Sequence, residues 1–285
     1  MPRTRILVSP TQVQGLLDEP GWVILDCRSD LYDLDAGRRA YTESHIPGAV
    51  FVDLDRDLAG PVLPGTGRHP LPEAETLGRT LGELGIGNTD SVVVYDEGNG
   101  ALAARAWWIL RWLGQASVFL LDGGFRHWQA LGLACETAIP ERAACGFVAR
   151  PDATKVLTTA ELAADIDGIA SLRLLDARAA ERFNGASEPI DPVAGHVPGA
   201  VNAPFSRFVT SNETWRPLAE RELLLEEVLG TDREVEWSVM CGSGVTACHL
   251  AISGLEAGYR EPRLYVGSWS EWIRDPKRPI VASDQ

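Results

Sequence analysis

No apolar run in this sequence approaches the ~20 residues that a membrane-spanning helix needs, which excludes a helical bilayer span. The opening stretch, Met1 to Val8, holds two arginines but no long apolar core followed by a small-residue cleavage site. It predicts a mature, cytoplasmic start rather than a signal peptide. No C-x-x-C pair occurs among the five cysteines (27, 135, 145, 241 and 248). Their odd number fits a reducing compartment and excludes a disulfide framework. No H-x-x-x-H or H-E-x-x-H spacing occurs among the five histidines, so neither a metal nor another cofactor is expected. Positive charge is scarce as well, with 26 Lys and Arg against 40 Asp and Glu for a net charge of −14. That argues against nucleic acid and anionic membranes as partners. It leaves room for a small anionic substrate in a locally positive pocket.

What is there describes a globular protein. The chain has 285 residues, 45% hydrophobic and 23% charged, enough for two domains of ordinary size. Its nine tryptophans are read as core or interface fillers, since large aromatics dominate buried area.

The chain carries one pattern twice. Ser9-Pro10-Thr11-Gln12 and Thr158-Thr159-Ala160-Glu161 both read as capping boxes that open helices. Val23-Ile24-Leu25-Asp26-Cys27-Arg28 is answered by Arg173-Leu174-Leu175-Asp176-Ala177-Arg178, and His45-Ile46-Pro47-Gly48-Ala49-Val50 by His196-Val197-Pro198-Gly199-Ala200-Val201. Ser91 to Asp96 matches Trp237 to Cys241, and Gly123-Gly124-Phe125-Arg126-His127-Trp128 matches Gly267-Ser268-Trp269-Ser270-Glu271-Trp272. Five landmarks in one order are a tandem duplication. Short β-branched runs between helical stretches predict an α/β fold with βαβ units around a parallel sheet in each half. Residues 136–156, with Pro140, Gly146 and Pro151, read as the linker between halves 1–135 and 157–285.

The chemistry concentrates in Met240-Cys241-Gly242-Ser243-Gly244-Val245-Thr246-Ala247. A cysteine at the carboxyl end of a strand, followed by glycines and then a helix, sits where ligands bind parallel sheets. Converging backbone N–H groups and the helix dipole favour an anion there, so a thiol in such a loop is activated as a thiolate. A cysteine-dependent phosphatase is excluded, because C-x5-R would need arginine where Ala247 stands.

Together the two D-x-R strands, the two H-[IV]-P-G-A-V turns, the closing G-S-W-S-E-W and the C-G-S-G-V-T-A loop resemble the tandem-domain rhodanese family of sulfurtransferases. The resemblance implies two rhodanese-like domains, each a five-stranded parallel sheet flanked by helices, with catalysis confined to the second half. It implies that sulfur passes from 3-mercaptopyruvate or thiosulfate, through a persulfide on Cys241, to a thiol or cyanide, with a thioredoxin-like reductant as a further partner. The alternative is a non-enzymatic persulfide carrier or protein-binding module built on the same loop. The amides of Gly242, Gly244, Val245, Thr246 and Ala247 would hold the sulfur anion. Ser243 would belong to a proton relay with His45 and an acid such as Asp35, and Arg182 would bind the donor's anionic end. The same His turn recurs at His196, which favours a structural role for both histidines. The loop wording matches mercaptopyruvate enzymes, whereas Asp191 stands where they carry a second arginine. Arg28 and Arg178 are read as partners of Asp26 and Asp176, and Cys248 as a packed helix residue. Arg68-His69 lies in a Gly/Pro-rich loop that could reach the cleft, recommended only by its charge.

Overall fold

A computed structural model describes residues 5–169 and 172–282. Met1 to Thr4, part of the segment read as a mature start, lie outside the described residues. Each half forms one parallel sheet of five strands. In the first, β1 (Leu7–Val8), β2 (Trp22–Asp26), β3 (Val50–Phe51), β4 (Ser91–Tyr95) and β5 (Val118–Leu121) lie in the order β1-β5-β4-β2-β3. In the second, β6 (Val156–Leu157), β7 (Arg173–Asp176), β8 (Val201–Asn202), β9 (Trp237–Met240) and β10 (Arg263–Tyr265) lie in the order β6-β10-β9-β7-β8. The topologies match strand for strand, as the duplicated sequence predicts. The central strands are apolar on both faces because both faces are covered. Val92, Val93 and Val94 of β4 are buried, as are Leu174 and Leu175 of β7, and a parallel sheet of this kind requires helices on each side.

Both capping boxes form. Ser9 Oγ accepts the Gln12 amide at 3.3 Å while the Gln12 side chain accepts the Ser9 amide at 3.0 Å. Thr158 and Glu161 reciprocate in the same way, at 3.2 and 2.8 Å.

The halves meet along two helices that each follow a central strand. Ala101–Trp112 packs on Ala247–Glu256, and all of the first helix except Leu102 and Arg111 is buried. A helix covered by its own sheet on one side and by the other half on the second has no solvent face left for polar residues. One apolar core therefore runs from Trp107 and Trp108 through to Trp237 and Leu250. Eight of the nine tryptophans are buried, Trp22 being the partly exposed one. Between the sheets, residues 137–152 form neither helix nor strand. They run along the first half, the Cys145 amide donating to Gly82 O and the Arg150 amide to Leu113 O, both at 2.9 Å. All five cysteines are unpaired, and no helix among the described residues is long and apolar enough to cross a membrane.

Candidate active site

β9 ends at Met240, and Cys241 begins the loop that leads into the helix Ala247–Glu256. The loop's carbonyls are tied outward. Cys241 O accepts from the Trp269 amide at 3.0 Å and Gly242 O from the Ser270 amide at 2.9 Å. Ser268 completes the clamp, its hydroxyl accepting from the Cys241 amide at 3.1 Å and donating to Tyr265 O at 2.8 Å. This is the structural use of the closing G-S-W-S-E-W. Among the described residues, the N–H groups of Gly242, Ser243, Gly244, Val245 and Thr246 have no hydrogen-bond partner. Gly244 is required twice over, for its φ of +76° and because a Cβ would lie 2.6 Å from Val266 O. At Gly242 a Cβ would lie 2.8 Å from Arg68 Nη2 and 3.3 Å from Arg182 Nη2, so glycine there lets both guanidiniums approach the loop.

The matching loop of the first half shows what such a cradle holds. Asp96 occupies the place of Cys241, and its buried carboxylate accepts four amides, from Gly98, Gly100, Leu102 and Ala103, at 2.9 to 3.2 Å. Burial pushes its pKa up while those amides pull it down. One loop carries its own anion; the other carries a thiol.

Cys241 borders a cavity of about 150 Å³ at the junction of the halves. Ser243, Val245 and Thr246 line it from the second half, and Asp55, Arg68 and His69 from the first. Ser243 Oγ lies 2.8 Å from His69 Nδ1, and His69 Nε2 lies 3.2 Å from Asp55 Oδ1. A hydroxyl, an imidazole and a carboxylate in series form a path along which a proton can move.

This replaces the relay read from sequence. His45 is fully buried in its own turn, stacked on Tyr41 at 4.1 Å, with Nδ1 2.7 Å from Tyr41 O and Nε2 3.2 Å from Ala138 O. Both ring nitrogens are engaged there, so it contributes nothing to the cavity. His196 repeats the arrangement, stacked on Phe183 at 3.8 Å with Nδ1 2.8 Å from Phe183 O. Asp35 is surface-exposed and pairs with Arg56 at 2.8 Å. The Arg68-His69 loop reaches the cleft, as its sequence suggested, but the place of His69 beside Ser243 and the part of Asp55 were not foreseen, although the duplication held a signal for the first. Aligning His69-Pro70-Leu71 with Arg216-Pro217-Leu218 leaves a histidine in one half only.

Two guanidinium groups flank the loop. Arg182 donates from Nε to Glu188 at 2.8 Å and from Nη2 to Asp191 at 3.1 Å. Arg68 reaches Asp191 from the other half. Burial raises the Asp191 pKa, and the Arg68 charge opposes that rise. A third arginine stands behind the loop. Arg105, fully buried on the first interface helix, donates to Gly244 O and to His69 O, both at 3.1 Å. It thereby pins the cysteine loop and the His69 loop to one point. Burial lowers its pKa, and the nearby thiols of Cys248 and Cys241 act in the opposite sense. Cys248 itself is packed, its thiol donating to Gly244 O at 3.4 Å and its pKa pushed up to about 12 by burial. Arg28 and Arg178 clamp Asp26 and Asp176 at 2.6 and 2.7 Å, in matching positions of the two halves.

Fold and site define a tandem α/β protein whose second half presents a cysteine to a cavity completed by the first. Residues 9–131 and 158–275 each match the rhodanese-like domain. Over 280 residues, covering 98% of each chain, the sequence is 46% identical to a "Probable 3-mercaptopyruvate sulfurtransferase" of Pseudomonas aeruginosa. It is 35% identical over 240 residues to the thiosulfate sulfurtransferase of Gallus gallus, covering 83% of this chain and 81% of that one. The crystal structure of SseA from Escherichia coli, a 3-mercaptopyruvate sulfotransferase by its description, superimposes with a TM-score of 0.82 at 31% identity, covering 94% of this chain and 100% of that one. The chain belongs to the rhodanese family and, with two such domains and sulfurtransferase relatives over its full length, is a tandem-domain sulfurtransferase.

Proposed function

We propose that this enzyme moves a sulfur atom from 3-mercaptopyruvate or thiosulfate to a thiophilic acceptor, cyanide or a thiol, through a persulfide on Cys241. The thiolate attacks the donor's outer sulfur and an S–S bond forms. With thiosulfate, the sulfur–sulfur bond of the donor breaks and sulfite leaves with the electron pair. With mercaptopyruvate, the carbon–sulfur bond breaks, the pair goes to the enolate of pyruvate, and the donor's thiol proton ends on carbon. Ser243, His69 and Asp55 are the groups in line to carry that proton. Cyanide or a thiolate then attacks the outer sulfur and releases the Cys241 thiolate. Arg182 binds the donor's anionic end, and the amides of Gly242 to Ala247 hold the sulfur anion.

The observation that carries this reading is the pair of equivalent loops. Where the first holds the Asp96 carboxylate on four amides, the second offers unpartnered amides around a cysteine. The same reading divides the chain into a non-catalytic domain at 1–135, a linker at 136–156 and a catalytic domain at 157–285. A thioredoxin-like reductant is its further partner, and a reducing compartment such as the cytoplasm suits its five unpaired cysteines.

The test compares wild type with Cys241→Ser, using each donor with cyanide, and maps added sulfur by peptide mass spectrometry. Wild type should form thiocyanate and carry one extra sulfur on the Cys241 peptide; Cys241→Ser should do neither while folding normally. Turnover by Cys241→Ser would sink the assignment. Loading of Cys241 without turnover would make the protein a carrier.

A further inference from the structure

At the cavity wall the two guanidiniums spend one side on carboxylates and leave the other free. Arg182 uses Nε and Nη2 on Glu188 and Asp191, and Arg68 uses Nη1 on Asp191. Among the described residues, Arg68 Nη2 and Arg182 Nη1 have no hydrogen-bond partner. They face the cysteine loop, 2.8 and 3.6 Å from where a Gly242 Cβ would be. Asp191 and Glu188 stand behind them, with side chains 4% and 3% exposed, so water screens these charges little. The two positive and two negative charges cancel. Of the other charged groups nearby, Arg178 pairs with Asp176 and stands 3.5 Å from Glu188, Asp55 lies 3.2 Å from the His69 ring, and Arg105 is a buried guanidinium with no carboxylate partner among the described residues; none of these changes when Asp191 is replaced.

We infer that Asp191, acting with Arg68 from the first half, selects donors by charge, favouring a single carboxylate over a dianion. This deepens the sulfur-transfer reading and rests on it. A neutral cluster with two free N–H edges gives a monoanion forked hydrogen bonds at little electrostatic cost. A dianion gains the same bonds but meets the Asp191 charge with twice the energy, because Coulomb energy is proportional to donor charge. The effect of Asp191 on a dianion is therefore the square of its effect on a monoanion. Relative to the same pocket without the Asp191 charge, the balance therefore shifts toward 3-mercaptopyruvate, with one carboxylate, and away from thiosulfate. Arg68 supplies from across the junction a second guanidinium that the second half lacks.

The experiment is Asp191→Asn in the full-length protein, read in two ways. Calorimetric titration with unreactive probes, pyruvate for the monoanion and sulfate for the dianion, measures the charge rule without turnover. Asp191→Asn should tighten pyruvate about tenfold and sulfate about a hundredfold. Asp191→Glu, which keeps the charge, should leave the sulfate-to-pyruvate ratio at the wild-type value. In turnover, the kcat/KM preference for 3-mercaptopyruvate over thiosulfate should fall about tenfold in Asp191→Asn. Should Asp191→Asn fail to fold, Arg68→Gln gives the mirror result, weakening sulfate by the square of the factor lost for pyruvate. Equal changes for the two probes, or none, overturn the inference. If neither donor turns over in wild type, sulfur transfer fails, while the titrations still decide whether charge is selected.

Discussion

Two glycines lie two residues apart in the Cys241 loop, and alanine at each should fail for a different reason. At Gly242 the new methyl would sit 2.8 Å from Arg68 Nη2 and 3.3 Å from Arg182 Nη2, against ordinary contact beginning at 3.4 Å. Arg68 must retreat by 0.6 Å (3.4 − 2.8) and Arg182 by 0.1 Å (3.4 − 3.3). Both obstacles are the far ends of flexible side chains, so the fold accommodates the methyl. The donor pays for it: tipping a guanidinium out of line forfeits a charge-assisted hydrogen bond of about 1.5–3 kcal/mol, which is roughly 10- to 150-fold in kcat/KM. Stability should hardly move, because a tolerated Gly→Ala change itself stabilises by about 0.4–1 kcal/mol through the unfolded chain. At Gly244 the methyl would meet a backbone carbonyl, Val266 O, at 2.6 Å, on a residue with φ of +76°. Neither can yield cheaply, and strain of about 1–3 kcal/mol or more should appear as a lower Tm. Steady-state kinetics with both donors and thermal unfolding of Gly242→Ala and Gly244→Ala separate the effects. Wild-type kcat/KM for both donors in a folded Gly242→Ala would refute the placing of the donor's anion against these guanidiniums.

Further expectations follow from the same geometry. His69→Gln should lower kcat with 3-mercaptopyruvate by about 10²–10⁴-fold and spare thiosulfate, whose cleavage moves no proton to carbon; an equal loss with both donors would remove the relay. His45→Gln should leave both donor activities near wild type and lower Tm instead, since its ring is engaged by the Tyr41 and Ala138 carbonyls and lies 3.7 Å from Glu136, away from the cavity. Glu161, held to a pKa of about 2 by the Thr158 hydroxyl and amide and by Arg263, against 4.5 for a free glutamate, should stabilise above pH 4.5 and lose that contribution as pH falls toward 2. In Glu161→Gln the stability deficit should be near 0.5 kcal/mol at pH 7, small because the side chain is half exposed, and should vanish near pH 2; urea unfolding at the two pH values measures it.

Much of this was legible in the chain because duplication exposes structure by repetition. Arg28 with Asp26, Arg178 with Asp176, and the turns at His45 and His196 recur in both halves, and every one of them builds the fold. The Cys241 loop was legible for the converse reason, since the first half answers it with Asp96. Asp55 stayed hidden, and the Arg68-His69 loop was marked as able to reach the cleft by its charge alone, because no local pattern assigns these residues a role. They reach Cys241 only when the helices Ala101–Trp112 and Ala247–Glu256 dock, across 174 residues of sequence for the His69–Ser243 contact. Periodicity and capping report neighbours within a turn or a strand. They carry no information about which loop of one half will lie over the other.

That docking also explains why one site is open and its twin is closed. The halves exchange arms across the junction. From the first, Arg68 and His69 reach the Cys241 loop; from the second, Trp215 reaches the Asp96 loop, where its indole nitrogen would lie 2.8 Å from a Cβ at Gly100. Behind each loop an interface helix contributes one buried polar residue. Arg105 donates to Gly244 O at 3.1 Å, while His249 stacks on Trp215 at 3.5 Å with its pKa pushed down to about 3 by burial. In the first half the cradle is filled by the Asp96 carboxylate and covered by an indole on a neutral imidazole, which leaves no place for a donor. In the second, Arg68 and His69 replace the indole and a thiol replaces the carboxylate, so the cavity stays open and, among the described residues, its amides stay unpaired. An unpaired amide cradle beside a buried guanidinium is unfavourable in a resting protein. On the proposed mechanism, the anions that relieve both are the Cys241 thiolate and the persulfide that replaces it. The cost the first half removes with Asp96 would then be met in the second by the charged forms of the nucleophile itself.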